Sequence, residues 1–210
     1  MAGAEKAAVR VRMGRPPAHD NPRQRIIQQA AELFAQKGYE AASLGELAAA
    51  MGVSKAGIYH YFPTKQHIYD AIILAVLSGL VEQVAPAVQA QQGASDKLRV
   101  FMVEHARYFE AHYHGFVVML VGFSGISAPE MKQEATRLRD QHEGMLRTII
   151  DQGLREGVFT SSSPAGAGRA VLSMLNWMVR WFKPGAGQSA EQVALEYYYL
   201  VTRGLITASP

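Results

Sequence analysis

The sequence predicts an all-α protein of about nine helices, an N-terminal helix-turn-helix head followed by a C-terminal helical bundle. Three observations predict it. Apolar residues recur at three- and four-residue spacing in segment after segment, without a convincing strand pattern. Ser, Thr or Asn stands ahead of most of these segments as a capping signal. Gly and Pro fall between them as punctuation. The 210 residues, 49% hydrophobic and 19% charged, suffice to bury a core. There is no cysteine, which removes disulfides, thiolate zinc sites and cysteine nucleophiles.

Residues 1–20 hold Gly, Pro, Ala and scattered cations without an apolar period, and read as a disordered basic arm. Arg10, Arg12 and Arg15 could follow phosphates or enter a minor groove; a tail without a role fits them equally. Asn21 and Pro22 form a cap and first-position pair for a helix to about Lys37. That helix buries Ile26, Ile27, Ala30, Leu33 and Phe34, and Gly38 ends it. Ser43 with Glu46 is a capping box for a second helix carrying Leu44, Leu47, Ala48 and Met51. Gly52 sits where the chain must leave it, and Ser54 caps a third helix. Helix, glycine turn, helix is the build of a helix-turn-helix, placed here at residues 21–66.

The third helix has the composition of a reader. Ile58 and Phe62 face inward, while Lys55, Ala56, Gly57, Tyr59 and His60 cover the rest of its surface. Ala56 and Gly57 keep its start thin enough to approach base edges, and Lys55, Tyr59 and His60 carry donors for phosphates and bases. Thr64 caps the next helix, whose Lys65 is expected to add a cation to the same face.

From Lys65 a long helix carries Ile68, Ile72, Ile73, Val76, Leu77, Leu80 and Val84, with a kink or ending expected near Val84 because of Pro86. Ser95 is expected to cap a helix bearing Leu98, Phe101, Met102, His105, Tyr108, Phe109 and His112, broken by Gly115. The run from Phe116 to Phe123 is apolar all round and suits a short central helix. Ser127 and Pro129 open a long helix with Leu138, Met145, Ile149, Ile150 and Leu154. Ser163 and Pro164 open another, expected to end at Lys183, and Ser189 with Gln192 box the last, expected to reach about Ile206. These two carry more apolar circumference than one side of a bundle needs, which fits either a homodimer contact or the close of the monomer's own core. Residues 67–210 are expected to form a helical body behind the head.

Charge separates the two parts. Through Gln66 there are nine Lys and Arg against five Asp and Glu, a balance of +4; from His67 onward twelve face thirteen, or −1. A positive head suits phosphate neutralisation on double-stranded DNA. The start shows no signal peptide, and apolar runs such as 117–121 fall far short of the roughly 20 residues that span a bilayer. A cytoplasmic protein with no membrane partner is expected. His105 and His112 lie seven apart, outside metal-pair spacing, and no nucleophile elbow, phosphate loop or paired-carboxylate motif is present. No metal, no cofactor and no catalysis are expected.

The residues Leu47-Ala48, Gly52-Val53-Ser54, Gly57-Ile58-Tyr59, Tyr61-Phe62 and Lys65 resemble the signature of the TetR family of bacterial one-component repressors. Ala30-Ala31, Leu33-Phe34 and Gly38-Tyr39 match that family's first helix and its ending. The resemblance covers about residues 22–70. It implies DNA contacts at Ser54, Lys55, Gly57, Tyr59, His60 and Lys65, with Ser43 and Ala56 beside them, on a palindromic operator. It also implies dimerisation through the last two helices and a ligand-binding body. Phe101, Met102, His105, Tyr108, Phe109, Phe116, Met119, Phe123, Met145, Trp177 and Arg180 are the candidates for lining that ligand site. The stretch from Asn176 to Gly185 is similar to a segment of TetR-type repressors that respond to acyl-coenzyme A thioesters, which names one class of small lipophilic effector. Two other functions fit the sequence. One is a multidrug-responsive repressor, which needs Glu104 or Glu110 buried in the pocket; the other is an architectural DNA-binding protein with no effector.

Overall fold

The structure is a computed structural model that describes residues 21–121 and 125–204. The described residues form nine α-helices and one 3-10 turn and contain no strand. The N-terminal arm and Phe123 lie outside them.

Helices α1 (Pro22–Lys37), α2 (Leu44–Met51) and α3 (Lys55–Tyr59) form the head, and each start is held by the cap that its sequence offers. Asn21 Oδ1 accepts from the Arg23 amide at 3.0 Å. The box at α2 is complete: the Ser43 amide donates to Glu46 Oε2 at 3.0 Å and the Glu46 amide to Ser43 Oγ at 3.2 Å. Ser54 Oγ accepts from the Gly57 amide at 3.1 Å. Gly52 turns the chain between α2 and α3 in the left-handed region, at φ 66°, where a side chain would be strained.

Helix α4 (Lys65–Gln89) is the axis of the molecule. Its first turns join the head core of Ile26, Ala30, Phe34, Leu47, Ile58 and Phe62 through Ile68, Tyr69 and Ile72. Its later turns join the body core through Val76, Leu80, Val84 and Val88. The body consists of α5 (Ala94–Ala111), α6 (Tyr113–Leu120), α7 (Pro129–Arg155), α8 (Pro164–Trp177), the turn Met178–Arg180 and α9 (Ala190–Arg203). Val118 of α6 and Leu138 of α7 enter the head core, so head and body share a continuous interior. By length and composition α4 could cross a bilayer, yet twelve of its residues are buried inside the protein. It is the core helix of a bundle.

Four local expectations change. α4 does not end near Val84 but runs through Pro86 to Gln89, because buried Val84 and Val88 hold the last turns on both sides of the proline. α5 begins one residue before Ser95; its N-cap is Gly93, and the Ala94 amide donates to Glu156 Oε2 at 3.0 Å across the bundle. The break after α5 falls at His112 rather than Gly115, which lies inside α6 where a Cβ would come within 2.6 Å of Val76 Cγ2. The helix opened by Pro164 ends at Trp177 and continues only as the turn to Arg180.

Candidate nucleic-acid interface and ligand chamber

The α3 surface is built from one buried anchor and a row of exposed side chains. Ile58 is fully buried in the head core and fixes the helix there, while Lys55, Ala56, Tyr59 and His60 are exposed and Gly57 is half-buried. Tyr59 leaves 50% of its surface free, far more than a core tyrosine would. Ser43 and Ser54 are exposed, but each hydroxyl is occupied as a cap, so their role at this surface includes shaping it. Gly45 completes the surface, and nothing in its local sequence marks it. A Cβ there would meet Lys55 Cε at 2.8 Å, so glycine lets the Lys55 stem cross the start of α2.

Lys65 is a correction. Instead of facing outward beside α3, its ammonium donates to the carbonyls of Tyr39, Glu40 (3.3 Å) and Ala42 (2.9 Å) and stands 4.3 Å from the centre of the Tyr39 ring. An ammonium has three donors, and all three have backbone partners here. Lys65 therefore ties the α1–α2 loop to the start of α4 and is not a free phosphate contact. Glu46 is similarly engaged: its hydrogen bond to Lys37, at 2.5 Å, and those to Ser43 lower its carboxyl to about 2.

A polar cluster joins this head to the loop before α7. Gln66 Nε2 donates to Asp70 Oδ1 at 2.7 Å and to the Gly125 carbonyl at 3.2 Å, while Gln66 Oε1 accepts from the Tyr39 hydroxyl at 2.9 Å. Ser127 Oγ donates to the other oxygen of Asp70 at 3.2 Å. Asp70 is 1% exposed, and its second oxygen is satisfied by Ser127 of the α6–α7 loop.

The body holds a partly open chamber of about 200 Å³ lined from five helices: Leu77 and Leu80 of α4, His105 of α5, Met119 and Leu120 of α6, Arg139, His142 and Glu143 of α7, and Leu172 and Asn176 of α8, with Arg139 and Glu143 at its exposed mouth. The two imidazoles are its distinctive chemistry. Their ring centres are 5.2 Å apart, and the pair lies between Phe101 (4.7 Å from His142) and Phe116 (5.9 Å from His105). Both ring nitrogens of His105 and Nε2 of His142 are buried with no hydrogen-bond partner among the described residues. Desolvation pushes the His105 pKa well below the ordinary imidazole range, helped by His142, and takes His142 to about 4 by burial alone. Both rings are therefore neutral near pH 7, each offering one donor and one acceptor. Leaving such groups unpaired costs about 1–3 kcal/mol each.

The sequence-based ligand set divides. His105 and Met119 line the chamber. Phe101, Met102, Phe109 and Phe116 are packed core directly behind it, and Met145 is half-buried without reaching it. Tyr108 lines a separate cleft between α1 and the α5–α6 joint, its hydroxyl donating to the Ala75 carbonyl at 3.3 Å. Trp177 and Arg180 do not line the chamber. They lie on the outside of this chain, Trp177 63% exposed with the Arg180 guanidinium 5.6 Å from its ring centre, while Leu175, Met178 and Val179 on the other side of the same segment pack into the body core. His142, Arg139 and Asn176 join the site from outside the sequence-based set. A signal for His142 exists, since Ala135, Leu138, His142, Leu146 and Ile149 recur at helical spacing and put a histidine in an apolar phase. Glu104 and Glu110 do not line the chamber: Glu104 pairs with Arg107 at 2.6 Å, and Glu110 accepts from the Ala190 amide at 2.9 Å and so caps α9.

Known proteins share this fold. Residues 26–72 match the family model of bacterial regulatory proteins of the tetR family, and residues 91–205 match the tetracyclin repressor-like C-terminal domain. The chain is 48% identical to the TetR family transcriptional regulator PfmR from Thermus thermophilus, covering 87% of this chain and 100% of that one with a TM-score of 0.81. It is 24% identical over 201 residues to the HTH-type transcriptional repressor KstR2 of Rhodococcus jostii, covering 93% and 98% of the two chains. The fold is also that of AibR, solved with isovaleryl coenzyme A and operator DNA, at 24% identity, 86% and 97% coverage and a TM-score of 0.75. Head and body both match, and the chain belongs to the TetR family of bacterial regulatory proteins.

Proposed function

We propose that this regulator is a homodimeric repressor that leaves a palindromic operator when a small lipophilic effector occupies the body chamber. The observation that carries the reading is the double role of α4. Its first turns hold the head through Lys65, Gln66 and Asp70, and its middle turns line the chamber through Leu77 and Leu80. An effector that prefers one position of α4 must also favour one placement of the head, which is the requirement for coupling two sites. Residues 21–66 act as the DNA-binding domain and residues 67–210 as the sensing and dimerisation domain, in the cytoplasm with the DNA. Ser54, Lys55, Ala56, Gly57, Tyr59 and His60 face the operator, with Ser43 at the edge of that surface.

Dimerisation through α8 and α9 is supported by apolar surface that a monomer has no use for. Trp177 is 63% exposed and Trp181 50%, and Tyr199, Leu200 and Val201 of α9 are exposed as well. A twofold axis through this face would set two α3 helices for half-sites about 34–36 Å apart or a multiple of that.

For the effector, an acyl-coenzyme A thioester is favoured over a cationic drug. Glu104 and Glu110 are already engaged, and the single acid of the chamber, Glu143, stands with the cation Arg139 beside two neutral imidazoles. AibR, which has the same fold, was solved with such a thioester bound.

The test is binding to the DNA upstream of the protein's own gene against a scrambled duplex at two salt concentrations, with sedimentation to fix the oligomer. Preference for the upstream DNA by a dimer is the expected result. Equal, strongly salt-sensitive binding to both duplexes contradicts it and leaves an architectural DNA-binding protein.

A further inference from the structure

The chamber does not stand alone. A groove of about 420 Å³ runs between α7 and α8, with Glu143, Leu146 and Arg147 on one wall and Gly168, Arg169, Leu172 and Asn176 on the other. Glu143, Leu172 and Asn176 line both spaces, so groove and chamber adjoin at those three residues. Inside are two neutral imidazoles, His105 without a hydrogen-bond partner and His142 with none at Nε2 among the described residues, set among Leu and Met side chains. Outside are Arg147 and Arg169, exposed and without an ion-pair partner among the described residues. Arg139 stands in the chamber wall, and the single acid lining either space with these three cations is Glu143. Gly168 keeps the α8 wall low, and a Cβ there would find only Ile150 at 3.5 Å.

We propose that chamber and groove are two halves of one site for a short-chain acyl thioester of coenzyme A. The inference rests on the acyl-thioester reading above and adds where the ligand lies and which chain length it carries. The acyl group occupies the chamber, against the neutral His105–His142 pair and the Leu and Met side chains around it. The pantetheine arm leaves past Leu172 and Asn176, and the phosphates meet Arg147 and Arg169, where guanidinium geometry suits bidentate contact. At about 200 Å³ the chamber is smaller than the about 300–1,000 Å³ of pockets for drug-sized ligands, which selects a short acyl group over a long chain or fused rings. The uncharged imidazoles suit a thioester carbonyl, because a free carboxylate would have to give up its hydration beside two rings that resist protonation.

The test is calorimetric titration of the full-length protein with butyryl-CoA, palmitoyl-CoA and coenzyme A alone. The parent is compared with Arg147→Ala/Arg169→Ala, with His142→Leu, and with Arg99→Ala, which removes a cation of α5 outside the groove. Butyryl-CoA is expected to bind the parent more tightly than either other probe. The double arginine variant should lose at least about tenfold in affinity and most of its salt dependence, and Arg99→Ala should match the parent. His142→Leu should lose the preference of butyryl-CoA over coenzyme A alone while keeping the affinity for coenzyme A. If butyryl-CoA binds the parent and both variants equally, the two-part site is overturned while the acyl-thioester reading survives. Tighter binding of palmitoyl-CoA overturns the short-chain assignment. If no acyl-CoA binds the parent, the inference falls together with the reading beneath it.

Discussion

Ser127 Oγ donates to Asp70 Oδ2 at 3.2 Å, which fastens the entry to α7 to a carboxylate buried in α4. α7 supplies His142 and Arg139 to the chamber, and Asp70 lies one turn from Gln66, whose side chain reaches Tyr39 in the head. Chamber and reader thus share a hydrogen-bonded joint as well as a helix. Ser127→Ala should keep the fold and operator binding but weaken the effector's hold on the head. The coupling should drop by about 0.5–2 kcal/mol, read as the ratio of operator affinities with and without acyl-CoA. An unchanged ratio would remove this joint from the transmission route.

Lys55 and Lys65 should separate cleanly. Lys55→Ala removes an exposed cation from the reader and should lower the salt slope of operator binding by about one, with a normal melting temperature. Lys65→Ala strands the carbonyls of Tyr39, Glu40 and Ala42, so it should cost stability, with a lower melting temperature and an unaltered salt slope. Tyr59→Ala should weaken operator binding with the melt unchanged, since half of that side chain is free.

Gly79 permits a close contact between α4 and α5. A Cβ there would lie 2.1 Å from Tyr108 Oη and 2.7 Å from its Cζ. Gly79→Ala should destabilise the protein by about 1–3 kcal/mol in chemical denaturation. Tyr108→Phe in the same chain should return part of the loss, because the hydroxyl is the nearest atom and the ring remains. Tyr108 titrates high, at about 12, through burial, so this contact is insensitive to pH in the physiological range.

The buried histidines should give stability a pH dependence of one sign. Above the ordinary imidazole value near 6.5 the rings are neutral folded and unfolded, and stability does not depend on them. Below it the unfolded chain takes up protons that the buried rings refuse, so stability falls as pH falls. For His142 the fall continues to about 4, where the folded ring also protonates. Each ring contributes a slope of about 1.4 kcal/mol per pH unit over its window. Melting curves from pH 7 to 4 should flatten in His142→Gln relative to the parent; parallel curves would contradict the buried neutral assignment.

The head is almost wholly legible in the sequence because its structure is local. Ser43, Glu46, Gly52 and Ser54 act within three or four residues, and the caps they predict are those formed. Lys65 misleads because its partners, Tyr39 to Ala42, lie more than twenty residues away, and a cation near a reader is locally indistinguishable from a phosphate contact. The same limit explains Ser95 and Ser127. One is displaced as a cap by Glu156 from the far end of α7, and the other is drawn off to Asp70. In the body, periodicity separates buried from exposed faces but cannot say which buried side chains enclose space. Phe101 and Phe116 pack solidly, whereas His105 and Met119, in equally apolar helices, border the chamber. Trp177 and Arg180 mislead because aromatic-rich sequence looks alike in a pocket wall and on an outer face.

The most direct test of effector-controlled operator binding is to form the complex with the upstream DNA and titrate it with butyryl-CoA, following release by fluorescence anisotropy. Release at concentrations where coenzyme A alone has no effect is the predicted result. A complex that holds its DNA through saturating butyryl-CoA, with the thioester shown by calorimetry to be bound, would contradict the coupling of chamber to head.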